Sequence, residues 1–382
     1  MIAYSKNDLY NKYMQEQASE AFRNDCIDEV VYRNIFENHP HKLYTPNFFI
    51  RIGLGVLTIV AGIFSLALLW LITGASSDAA IALLLIFFTL LSYALLELMV
   101  MFKKYYNAGI DNTLMISIGL LIISAFLVMG VENSYRDISF TIMLVSLWLT
   151  IRFTDAFMAI ICFAATIVFF CTLYIELGSF GEVTVPFALM IFSALVYLFI
   201  QKLSGINKLV IWKLPIQCVR FFSIITFYVS GNYFVVNELS LKIYALPPAM
   251  EWVFWIYTLA VPPLYIFYGL KRKQSVFYRT GFVLLVAGIL TVHYYYTVMP
   301  VEIAMIIFGI LLIGISYALI KYLATPKKGF TFENNGAKGK SLVDAEALII
   351  AQVFGKKQLF KMNQCSSAAA VQVVVGLPAI TK

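Results

Sequence analysis

Few side chains in this sequence combine a reactive type with a setting that would sharpen it. Glu97 falls inside an apolar run, about one turn before its end. A carboxylate held there carries a proton or a cation, unless it merely reaches the interface beside Lys103 and Lys104. Arg220 and Arg51 lie at comparable depth in two other runs. Each either snorkels to the headgroups or holds an anionic lipid or substrate. His293 precedes Tyr294, Tyr295 and Tyr296. An imidazole there is a proton relay, a pH switch, or a group hydrogen-bonded to a neighbouring helix. Pro262 and Pro263 sit in the middle of a run. Two adjacent prolines delete two backbone donors and bend or break a helix, and freed carbonyls inside a membrane often line a cavity. This pair is therefore the chief pointer to a binding site. His39 and His41 flank Pro40 with no third ligand, so neither a metal site nor a cofactor is expected.

The elements that must carry these residues are membrane-spanning helices. The chain is 61% hydrophobic and 13% charged, against roughly a quarter charged in soluble domains. The deficit follows from the cost of ions in hydrocarbon. A crossing helix needs about 20 apolar residues. Ten runs are read as spans: 48–73, 79–101, 113–130, 138–151, 156–175, 185–200, 216–236, 252–270, 279–299 and 302–323. The run 138–151 is the weakest, because Asp137 and Arg152 bound it and the turn Arg152–Asp155 is tight. If that run and the next form a re-entrant pair, eight crossings remain. The expected fold class is all-α: a polytopic transmembrane helical bundle with small cytoplasmic helical termini.

Charge sets the orientation. Loops on the N-terminal side carry Lys103, Lys104, Arg152, Lys202, Lys208, Lys213, Lys271, Arg272, Lys273 and Arg279, and Lys321, Lys327 and Lys328 follow the last run. The opposite loops offer Arg136 and Lys242. This bias puts both termini in the cytoplasm and the protein in the cell inner membrane. It also accounts for the net charge of +7, which therefore gives no reason to expect nucleic acid. Tyr105-Tyr106, Trp252 and Trp255 suit the interface.

Residues 1–45 are polar, so no cleavable signal peptide is expected. Leu9, Tyr13, Met14, Ala18, Ala21 and Phe22, then Ile27, Val30, Val31, Ile35 and Phe36, recur at helical spacing. They predict two short amphipathic helices joined near Asn24-Asp25. The transmembrane domain is expected over 46–325 and a cytoplasmic tail over 326–382. Ser341 with Asp344 opens a short amphipathic helix, 341–354, stopped by Gly355. A helical pair of this size buries little area alone, so residues 1–45 or 341–354 are the expected contacts for a protein partner. Membrane lipids are the expected partners of the spans. Residues 356–382 hold a low-complexity stretch, Ser366–Ala370, then an apolar one without helical spacing, as an out-of-frame end would.

Motifs exclude more than they indicate. There is no GxxxxGK[ST], HExxH or GxSxG, so a membrane enzyme ranks last. The five cysteines form neither a CxxC nor a Cys/His spacing. Ser92-Tyr-Ala-Leu and Ser316-Tyr-Ala-Leu close two runs, a similarity that apolar alphabets readily produce by chance. Few ionisable groups lie near mid-membrane, which counts against an ion-driven carrier.

The layout resembles a group of uncharacterised bacterial polytopic membrane proteins with a short N-terminal cytoplasmic helical region. The resemblance rests on the helical pair at 1–45, the spans at 48–323 and the segment Leu342-Val-Asp-Ala-Glu-Ala-Leu-Ile349. It implies eight or more spans and no transferable site residue. Two functions remain in view: a permease or lipid-handling protein, with a cavity expected near Pro262, and a non-catalytic subunit or scaffold that recruits a cytoplasmic partner.

Overall fold

The computed structural model describes residues 2–296 apart from 24–25, 131–134, 245–246, 249 and 273, with a few single residues between 306 and 321. Among these residues are twelve α-helices and no strand. They are α1 (Lys6–Arg23), α2 (Glu29–Asn38), α3 (Phe48–Thr73), α4 (Asp78–Leu98), α5 (Ile110–Val128) and α6 (Tyr135–Phe153). Then come α7 (Ala156–Ile175), α8 (Ser179–Ser204), α9 (Lys213–Val229), α10 (Tyr233–Tyr244), α11 (Glu251–Arg272) and α12 (Ser275–Tyr295). One compact unit joins Met1–Lys6 to Leu43–Tyr295, and Asn7–Lys42 belongs to a second.

In the second unit the amphipathic pattern does what it predicts. Leu9, Met14, Ala18 and Ala21 of α1 and Ile35 of α2 are buried. The chain leaving α2 is tied back to α1 by side chains. Asn11 Nδ2 donates to Pro40 O at 2.7 Å and Gln15 Nε2 to His39 O at 2.8 Å. These bonds satisfy carbonyls just past a helix end, where no intrahelical donor remains. Phe22 stacks on Tyr32 with centroids 4.8 Å apart.

Eight helices among the described residues are long and apolar enough to cross a membrane. They are α3, α4 with the π-helical turn Met99–Lys103, α5, α7, α8, α9, α11 and α12. The protein is therefore a multi-pass membrane protein with an all-α bundle. α6 falls short on composition, because Arg136, Asp137 and Arg152 sit at its ends. It is still a helix of 19 residues, about 30 Å long, and it packs along α7 across the two-residue turn Thr154–Asp155. The first nine expected runs each coincide with a helix. The tenth, 302–323, falls mostly outside the described residues, and the tail 326–382 with its helix 341–354 lies wholly outside them. The run 216–236 is shorter than expected. α9 ends at Val229, and Asn232 caps a separate helix, α10, with Oδ1 accepting from Phe234 N at 3.0 Å.

Between helices in lipid there is little hydrophobic driving force, so association rests on close packing and hydrogen bonds. The contact of α11 with α12 shows both. A Cβ on Gly288 would lie 3.1 Å from Tyr228 Oη and 3.2 Å from Thr258 O. That glycine lets α12 approach the α11 backbone beside the core of Tyr228, Val261 and Leu284. α3 is the opposite case: none of its 26 residues is buried.

Candidate functional site

A set of charged groups lies where α4 and α6 end and α5 and α7 begin. Glu97 and Arg152 meet there as a two-pronged ion pair. Arg152 Nε donates to Glu97 Oε1 at 2.9 Å and Nη2 to Oε2 at 3.0 Å. Tyr93 Oη adds a bond to Glu97 Oε1 at 2.9 Å, and Trp148 Nε1 donates to Tyr93 Oη at 3.1 Å. The side chains are 24% (Arg152) and 15% (Glu97) exposed. Parallel N–H···O bonds of this kind fix geometry as well as adding energy. Glu97 is thus paired across to α6, and the interface lysines expected beside it are not its partners in this structure.

The two connecting turns are backbone-strained. Lys104 and Asn107 have φ of 52°, and Gly109 has φ of 96°. At Gly109 a Cβ would fall 2.0 Å from Arg51 O, so α3 rests directly on this turn. In the α6–α7 turn Thr154 has φ of 54°. For a β-branched residue that conformation is an outlier, and such residues gather where the surroundings over-determine them. The Thr154 Oγ1 is also buried without a hydrogen-bond partner. One residue of this turn thus combines a left-handed backbone with a buried, unpartnered hydroxyl.

Two buried carboxylates flank the strain. Asp111 Oδ1 accepts from Ala108 N, and Asp155 Oδ1 caps α7 by accepting from Met158 N, each at 2.8 Å. Burial pushes the Asp155 carboxyl above its ordinary range against the opposing Met158 N–H, and the nearby Asp111 charge adds to the rise. Arg51 reaches Asn107 Oδ1 at 3.4 Å. Turning the Asn112 amide, whose atoms otherwise face like groups, gives Arg51 Nη2 an acceptor at 2.8 Å and Asp111 Oδ1 a donor at 3.2 Å. The chain's own beginning closes the cluster. Ala3 N donates to Arg152 O at 2.8 Å, and the Tyr4 ring is buried edge-on to Tyr106 and Phe153. Burial raises the Tyr4 phenol above its usual value, so it stays neutral.

The other expected site residues are not brought to this cluster. Pro262 is buried and Pro263 exposed, and α11 runs unbroken through both. A helix with Pro262 has no N–H for Thr258 O; Tyr228 Oη faces that carbonyl at 3.4 Å. Tyr228 in turn accepts from Asn232 Nδ2 at 3.0 Å, and Asn232 bonds Thr291 at 3.2 Å. Pro262 is thus built into a packed helix contact. A cleft of about 340 Å³ beside Tyr228, Asn232 and Thr291 does not include either proline. His293 is half-buried, and no hydrogen bond to its ring is found among the described residues. Its neighbours are engaged elsewhere: Tyr295 Oη accepts from Asn237 at 2.9 Å, and Tyr294 packs edge-on to Phe234. Arg220 is half-buried with no ion pair among the described residues. Among the described residues no group of three metal-binding side chains occurs.

Sequence reasoning missed Tyr4, Tyr93, Asp111, Thr154 and Asp155. A signal for the two aspartates was present: they are acids on the basic side of the bundle. Nothing local marks Tyr4, which is one tyrosine among 23. No protein family, no curated protein and no solved structure matches this chain.

Proposed function

We propose that this chain is a cytoplasm-facing scaffold of the bacterial inner membrane: a non-catalytic subunit that recruits a cytoplasmic protein through residues 7–42. One observation carries the reading. A helical pair with its own buried core and hydrogen bonds is inserted between two chain segments, 2–6 and 43–44, that are both part of the membrane unit. Both ends of the pair therefore run by chain connection into the membrane unit, as suits a recruiting segment anchored at the membrane. The ionisable groups named here in the spans stand within about two turns of a helix end, which suits anchorage better than ion-coupled transport. Native mass spectrometry on gently extracted protein tests this. A stoichiometric partner that is lost when 7–42 is replaced by a short linker supports recruitment, and a protein without any partner before and after the change refutes it.

A lipid-handling reading keeps one observation of its own. α5, α6 and α7 enclose a cleft of about 240 Å³, lined by Met115, Gly119, Leu149, Phe157 and Ile161 and apolar apart from Ser146. Such a cleft suits an acyl chain and not a polar solute. Gly119→Leu places its side chain in open space there and is expected to displace any retained lipid. Retention of the same lipid by that variant counts against the reading.

A further inference from the structure

The flanks of the helical pair converge on one residue. On the first flank, Tyr4 is 6% exposed and packs edge-on to the Tyr106 ring with centroids 5.2 Å apart. On the second, Tyr44 O accepts from Tyr106 N at 3.1 Å, and Tyr44 N donates to Lys104 O at 2.9 Å. Tyr106 therefore gives its ring to one flank and its backbone to the other. The first flank also grips the α6–α7 turn, through Ala3 N on Arg152 O at 2.8 Å and through Tyr4 against Phe153. One residue beyond Phe153 stands Thr154, with its φ of 54° and its buried, unpartnered hydroxyl. A conformation of that kind relaxes when the contacts around it are withdrawn.

We propose that residues 2–6 are a strap that holds the α6–α7 turn in its strained form, and that a pull on the helical pair releases it. The chain passes from Tyr4 into α1 at Lys6, so force on α1 reaches Ala3 and Tyr4 within two residues. On release, Thr154 leaves the left-handed region and its hydroxyl gains access to water. The carbonyl and the guanidinium of Arg152 belong to one residue, so the same motion loosens the fork on Glu97. Partner engagement would thereby reach α4 and α6. Only the source of the pull rests on the scaffold reading; the strap itself does not.

Hydrogen exchange on the full chain in lipid nanodiscs tests the strap without any partner. Ala3→Pro deletes the donor to Arg152 O and leaves the Tyr4 ring in place; Tyr4→Ala removes the ring. Each is expected to speed exchange of the amides of 153–159 by about tenfold, with α9–α12 unchanged. Should Tyr4→Ala fail to fold, Ala3→Pro decides. Thr154→Gly accepts the left-handed φ without strain and removes the orphaned hydroxyl. In that background Ala3→Pro is expected to have little effect, because no strain is left to drive opening. Unchanged exchange in Ala3→Pro, or an equally large effect with and without Thr154→Gly, overturns the proposal. A chain that captures no partner yet shows this pattern keeps the strap and loses the scaffold; the reverse result loses the strap alone.

Discussion

The two ends of the membrane unit solve the same problem in different currencies. Where α4 and α6 end, polar groups are charged: Glu97, Arg152, Asp111 and Asp155, with a strained turn between them. Where α9 ends and α10 and α11 begin, they are neutral: Tyr228, Asn232, Thr258 and Thr291, each bonded within the group. Thr258 Oγ1 shows how complete the neutral network is. It donates to Phe254 O at 2.7 Å and accepts from Tyr233 N at 2.9 Å. Neutral groups saturate one another, whereas a buried charge left without its partner is costly. The difference teaches that the first region can be switched by moving one partner, and the second is a fixed joint.

The comparison can be broken most severely at Gly109. Gly109→Ala drives a Cβ into Arg51 O and demands a positive φ of an ordinary residue. The two effects together are expected to cost about 4 kcal/mol, seen as a large fall in Tm or as failure to accumulate. Next comes Arg152→Ala, which strands Glu97 and is expected to cost about 2 kcal/mol. Glu97→Gln added to it should restore part of that loss; a double variant as unstable as the sum of the single ones would show that the two residues do not act as a pair. In the neutral region Tyr228→Phe removes one hydroxyl from a network with other donors at hand. It is expected to cost about 1 kcal/mol, and a larger fall in Tm than that of Arg152→Ala would reverse the ranking of the two regions.

The smallest effect is the sharpest in sign. Asp155 holds its proton more tightly folded than unfolded, because burial raises its pKa. Its contribution is therefore fully present below the ordinary carboxylate range and is lost as pH rises through the raised folded value. Asparagine also caps a helix N-terminus and carries no charge to bury. Asp155→Asn is expected to fold normally and to flatten the slope of stability against pH across that window. An unchanged slope would mean that the carboxyl is not the group responsible.

How much was legible beforehand differs between helices and contacts. Eight of the expected runs match helices able to cross a membrane, with bounds that differ by up to about two turns, because hydrocarbon imposes one demand, an apolar run of fixed length, that leaves its mark on composition. α10 was missed because the break at Gly231-Asn232 lies inside a run that stays apolar on both sides. Glu97 was singled out for its place in an apolar run, yet its partner lies 55 residues away on a helix that pattern alone ranked weakest. Pro262 was singled out for a cavity beside it; the structure shows it buried in a helix that runs on unbroken.

The sequence by itself determined that this is an all-α multi-pass protein and roughly where its helices start and stop, since those properties follow from local hydropathy and capping. Only the tertiary structure decided which charges meet, that residues 2–6 belong with the membrane unit, and that Thr154 is held under strain. Each of these depends on which helix ends become neighbours, and lipid, which accepts any apolar face, leaves that choice to a few polar bonds and close backbone approaches scattered far apart along the chain.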